Sequence, residues 1–86
     1  MEQVRQLADI HGWLTYHTFD SRRSTKGFPD LVLTRPPRVI FVELKTQNGR
    51  LLEAQKYWLG ELAQCPGVES YIWRPSDWER VLEVLR

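Results

Sequence analysis

Cysteine is nearly missing from this chain: Cys65 stands alone among 86 residues. A single thiol forms no intrachain disulfide and no zinc–thiolate cluster, so a reducing, intracellular (cytoplasmic) setting is expected. No stretch approaches the roughly 20 consecutive apolar residues that span a bilayer. The N-terminus does not read as a secretory signal, so no membrane association is expected. Repeats, low-complexity tracts and linker-like segments are lacking too, which leaves a single domain over residues 1–86. A net charge of only +1 looks too mild for a nucleic-acid binder until it is divided along the chain.

The composition that remains, 42% hydrophobic and 27% charged, is that of an ordered globular chain. Residues 20–50 carry seven Lys/Arg (Arg22, Arg23, Lys26, Arg35, Arg38, Lys45, Arg50) against Asp20, Asp30 and Glu43, a local charge of +4. The rest of the chain carries −3. Positive charge is thus expected to gather around one region, as it must where phosphates approach.

That region holds two acidic residues in an apolar setting. Val39-Ile40-Phe41-Val42-Glu43-Leu44 reads as a central strand ending in charge. Thr34-Arg35-Pro36-Pro37-Arg38 separates it from the apolar run after Asp30, and Pro-Pro cannot continue a ladder. An antiparallel hairpin centred between Pro36 and Pro37 sets Asp30 opposite Glu43, with Cβ atoms about 5 Å apart. A wider turn would shift that register by one residue. Two like charges at such a distance repel unless a hard divalent cation takes up their oxygens. Lys45 follows Glu43 by two residues and so shares its face. Oxygen donors without Cys/His clusters speak against zinc.

The remaining elements fall into place around this pair. Val4, Leu7 and Ala8 predict a helix over about 2–11, closed by Gly12 as a C-cap. Trp13 to Phe19 reads as the first strand, where His17 is the one histidine that could line the site. Asp20 to Lys26 is a basic loop suited to phosphates through Arg22, Arg23 and Lys26. Thr46 to Arg50 reads as a turn with a positive φ at Asn48-Gly49. Leu51 to about Gln64 reads as a helix whose inward stripe is Leu51, Leu52, Gln55, Trp58, Leu59 and Leu62. Gln55 is the polar member of that stripe and points to the site. Val68 to Trp73 is a further strand. Ser76 with Glu79 reads as a capping box opening a last helix through Val81, Leu82 and Leu85.

Gly27-Phe28-Pro29-Asp30 followed by Glu43-Leu44-Lys45 resembles the Pro-Asp…(Asp/Glu)-x-Lys signature of the PD-(D/E)XK nucleases. Gly12-Trp13, Ser21-Arg22-Arg23-Ser24, Gln55 and Trp73-Arg74-Pro75-Ser76-Asp77 resemble its VRR-NUC branch, especially the stand-alone members. The resemblance implies an α/β restriction-endonuclease-like core, a mixed β-sheet flanked by helices in the order α-β-β-β-α-β-α. It implies Mg²⁺ or Mn²⁺ at Asp30, Glu43 and the Leu44 carbonyl, with Lys45 and Gln55 completing the catalytic set. Glu2 is the glutamate this chain offers for the family's first-helix acid, although it lies nearer Gly12 than the usual one. Arg22, Arg23, Lys26 and Arg50 would meet nucleic acid, and no small-molecule organic cofactor is expected. The implied activity is a metal-dependent endodeoxyribonuclease cutting branched DNA, such as Holliday junctions, as a homodimer. The alternatives are a nuclease acting on flaps or nicks, a catalytically weak nucleic-acid-binding module, and an α/β interaction domain.

Overall fold

A computed structural model describes residues 2–18 and 25–86 of the chain. Eight elements follow in order: α1 (Glu2–Ile10), β1 (Leu14–His17), β2 (Leu31–Arg35), β3 (Arg38–Leu44), α2 (Glu53–Ala63), β4 (Val68–Trp73), a 3₁₀ turn (Pro75–Asp77) and α3 (Trp78–Leu85). The strands form one sheet in the order β1-β2-β3-β4. β1, β2 and β3 make an antiparallel meander, and β4 runs parallel to β3. The parallel step needs a crossover, which α2 supplies. The order α-β-β-β-α-β-α therefore stands, with a 3₁₀ turn inserted before the last helix.

Strand alternation divides the sheet into two faces. Leu31, Leu33, Ile40 and Val42 turn to one side and are wholly buried with Ala8, Val81 and Leu85, beside Val4, Trp13 and Trp73. This is the main core, roofed by α1 and α3. Phe41 turns to the other side, where Phe28 packs edge-on between it (6.1 Å) and Trp58 of α2 (5.1 Å). α2 covers this second face over β3 and β4, with a Ser70 to Leu59 hydrogen bond of 3.4 Å tying helix to strand. Leu14 and Tyr16, on the same face of edge strand β1, stay 76% and 61% exposed.

The hairpin end of the sheet is held by arginines. Arg35 and Arg38 both lie over the Trp13 ring, 4.4 and 4.9 Å from its centroid. Arg35 donates to the carbonyls of His11 and Leu85, and Arg38 to that of Val84. Arg38 also forms a two-pronged pair with Glu69 at 2.7 and 2.8 Å, and Tyr71 donates to the same carboxylate. The Trp13 indole donates to Leu85 at 2.9 Å. Two of the basic residues counted toward a phosphate-binding region thus cap the end of α3 at the opposite end of the strands. Five steps along β3 separate Arg38 from Glu43, about 17 Å of extended chain.

Local expectations differ from the structure in three places. Asn48 and Gly49 have no positive φ; Gly12, Gly27 and Gly67 do. Glycine at 49 leaves room for Thr46, whose Oγ1 would lie 2.8 Å from a Cβ there and would have to shift. Ser76 does not cap α3: its hydroxyl accepts from Gln47 Nε2, while Asp77 accepts from the Arg74 N–H at 2.8 Å. Leu52, expected inside, is 53% exposed, because α2 begins only after it.

Candidate active site

The Pro36-Pro37 hairpin closes as the paired positions require: Leu31 lies opposite Val42 and Arg35 opposite Arg38. Continuing that register by one step faces Asp30 with Glu43, both on the α2 side of the sheet. Asp30 is pinned by the Leu44 N–H, which donates to its Oδ2 at 2.9 Å. Glu43 is 3% exposed, the one buried acid among the described residues. Gln55 in the first turn of α2 donates to Glu43 Oε2 at 2.8 Å and accepts from the Leu52 N–H at 2.9 Å. One glutamine therefore caps the helix start and fixes the acid. Lys45 Nζ lies 3.7 Å from the same Oε2.

Glu43 Oε1 is buried with no hydrogen-bond partner. An unpaired carboxylate oxygen in that position is costly unless a cation or proton completes it. Burial, and then the neighbouring Asp30 carboxylate, push the Glu43 carboxyl up to about 7, with Lys45 opposing the shift. Both causes vanish as penalties if a divalent cation sits between the two acids. The residues present thus fit a hard metal: one orphaned oxygen, a second acid opposite it, and carboxylate rather than nitrogen or sulfur donors. Among the described residues no group of three or more His, Cys, Asp and Glu gathers. A cation here would rely on two carboxylates, the backbone and water, which suits Mg²⁺.

The other expected site residues scatter. The register places His17 opposite Leu31, on the core face and away from the Asp30/Glu43 side. Glu2 opens α1 on the surface, 3.8 Å from Arg5. Lys26 and Arg50 are exposed, in the turn before Gly27 and in the loop before α2 respectively. Arg22 and Arg23 lie outside the described residues. Gly27, at φ +88°, has the backbone of Ala54 against it; a Cβ there would meet the Ala54 carbonyl at 2.5 Å. The turn preceding Asp30 is thereby locked against the helix that carries Gln55.

Arg74 was not singled out as a site residue, although it lies in the Trp73–Asp77 stretch that marks the resemblance. Its guanidinium donates to the carbonyls of Thr46 and Gly49 at 2.7 and 2.8 Å, fixing the loop between Lys45 and α2. A cleft of about 510 Å³ opens beside Lys45, between the first turn of α1 and the start of α3.

The family model for the VRR-NUC domain matches residues 2–76. The Fanconi-associated nuclease 1 homolog of Schizosaccharomyces pombe is 45% identical over 47 residues, which are 52% of this chain and 7% of that protein. The chain therefore spans a small fraction of the length of the curated relative it matches. A solved structure described as a VRR_NUC domain protein superposes with a TM-score of 0.65 over 98% of this chain and 83% of that one, at 18% identity. At that identity the likeness shows the fold.

Proposed function

The chain belongs to the VRR-NUC domain family, and from that premise we propose that it is a Mg²⁺- or Mn²⁺-dependent endodeoxyribonuclease that hydrolyses phosphodiester bonds in branched DNA. The observation that carries the reading is the Glu43 carboxylate, with Oε2 fixed by Gln55 and Lys45 and Oε1 left bare beside Asp30. Asp30 and Glu43 would hold the ion. An extended residue directs its N–H and C=O to the same edge of the strand, so the Leu44 carbonyl, like its N–H, faces the Asp30 side and supplies a third oxygen. Bound there, the ion supplies a water of lowered pKa and positive charge against the phosphate.

Lys45 holds its ammonium beside Glu43, where it orients the attacking water and offsets charge growing on the phosphate oxygens. Gln55 keeps Glu43 in one rotamer. Lys26 and Arg50 supply phosphate contacts from the loops around the site, and by their charge Arg22 and Arg23 would add to them, so binding reads backbone and shape rather than base sequence. A homodimer would present two such sites to the strands of a junction. The bare apolar surface of Ile10, Leu14 and Tyr16 on and beside the edge strand supports self-association. No helix among the described residues is long and apolar enough to cross a membrane.

The test is cleavage of a panel of four-way junctions, flaps, nicked and linear duplexes with and without Mg²⁺ or Mn²⁺. Glu43→Gln and Lys45→Ala should each lose nearly all cutting while keeping the parental fold by circular dichroism. Near-parental cutting by either variant would overturn the assignment. That no more than two carboxylates meet at the site among the described residues favours one second reading, a nucleic-acid-binding domain of weak catalysis. Calorimetry separates the two: that reading expects no Mg²⁺ uptake sensitive to Glu43→Gln.

A further inference from the structure

The cleft beside Lys45 is not the metal site. It opens where β3 and β4 end, and Lys45, Trp73, Arg74, Pro75, Trp78 and Gln3 are among the side chains that line it. Its volume of about 510 Å³ is within the range of small-ligand sites, about 300–1,000 Å³. Three features narrow what it takes. Trp78, one of the lining residues, is 38% exposed and so open to a ligand. Trp73, another, is 3% exposed and gives the cleft an apolar, rigid wall. Lys45 belongs to both places, since its ammonium stands 3.7 Å from Glu43 while its side chain lines the cleft. A ligand bridging the two therefore offers a flat apolar ring joined to an anion a short distance away. A nucleotide of the bound strand has those parts in that order.

We infer that this cleft receives one unpaired nucleobase of the strand being cut, stacked on Trp78, with its adjoining phosphate at Lys45. Indole stacking tolerates any base, because each has a π-face, and only an unpaired base can leave the duplex to reach it. The cleft would thus select DNA with an unpaired nucleotide at the branch and not a base sequence. The inference rests on the nuclease reading for the identity of the strand, but it makes its own prediction about binding.

The experiment is a photocrosslinking scan on the full chain without divalent metal, so that no strand is cut. Single 5-iodouracils are placed at successive positions across the branch of a junction and of a flap, and in the matched duplex. The expected result is an adduct on the peptide carrying Trp73 and Trp78 from an unpaired position at the branch, and none from the duplex. Trp78→Ala should weaken branched-DNA binding roughly tenfold or more, with Trp78→Phe keeping most of it and duplex affinity unchanged for both. Adducts spread evenly over the protein, or an abasic nucleotide at the branch that binds as well as a base, would overturn the inference and leave the nuclease reading intact. The specific adduct on a protein whose Glu43→Gln variant cuts as well as the parent would do the reverse. Absence of salt-sensitive binding to any DNA would remove both.

Discussion

Glu43 holds its proton harder in the folded protein than in the unfolded chain. Its carboxyl is raised from 4.5 to about 7, first by burial and then by Asp30. Between those values the folded state binds more protons than the unfolded one. Metal-free stability is therefore greatest below about pH 4.5 as far as this group is concerned. It declines as pH rises through about 7, by on the order of 3 kcal/mol. Thermal melts in a chelator should show parental stability falling between pH 5 and pH 8 relative to Glu43→Gln, which lacks the titration. Saturating Mg²⁺ should reverse the trend, because the ion binds the ionised acid: calorimetry at pH 6 and pH 8 should show tighter uptake at the higher pH, with proton release at the lower. Equal affinity at both would mean that Glu43 is not a ligand. Gln55 acts through Glu43, so Gln55→Ala should lower metal affinity more than it lowers stability.

Two short elements decide whether those side chains meet. The turn at Gly27 lies against the first residues of α2, and Gly27→Ala strains the backbone at φ +88° as well as meeting the Ala54 carbonyl. The strain alone costs at least about 1 kcal/mol. The prediction is a lower melting temperature together with loss of cutting, since Gln55 must move with the helix. At the other end, Arg38→Ala breaks the Glu69 pair and releases the Val84 carbonyl. A loss of about 1–3 kcal/mol is expected by denaturant unfolding. Because Arg38 sits far from the acids, its loss should leave the salt dependence of DNA binding unchanged. Lys26→Ala or Arg50→Ala should flatten that dependence without affecting stability.

The same elements show what the sequence made legible. Proline pairs interrupt ladders whatever surrounds them, so the hairpin centre and the Asp30–Glu43 facing could be read from Pro36-Pro37. Gln55 stood out because one polar residue in an apolar stripe needs a partner. Charge counting failed for Arg35 and Arg38, since composition gives the sign of a segment but not where each guanidinium points. The capping box at Ser76 failed for a related reason: its hydroxyl is taken by Gln47, a partner 29 residues away. Trp73 and Trp78 carried no local signal of a cleft, because it forms only when α1, the strand ends and α3 come together.

At the scale of the whole molecule, α2 shields one half of its face of the sheet and leaves Leu14 and Tyr16 on β1 in water. A second copy covering that face would explain why a chain this small keeps such residues. Light scattering at micromolar concentration should give a dimer, and Leu14→Lys with Tyr16→Lys should give monomers that still fold, because both side chains stand outside the core. A parental monomer would count against the paired-site reading.

The sheet is polar in a further sense. Its hairpin end is bolted by Trp13, Arg35, Arg38 and Glu69, while every acid, amide and ammonium of the candidate centre stands at the opposite tip. A saturating mutational library should accordingly split in two. Substitutions at the bolted end would lower the yield of folded protein, and substitutions at the far tip would yield abundant but inert protein. New substrate preferences could then evolve at one tip without renegotiating the other.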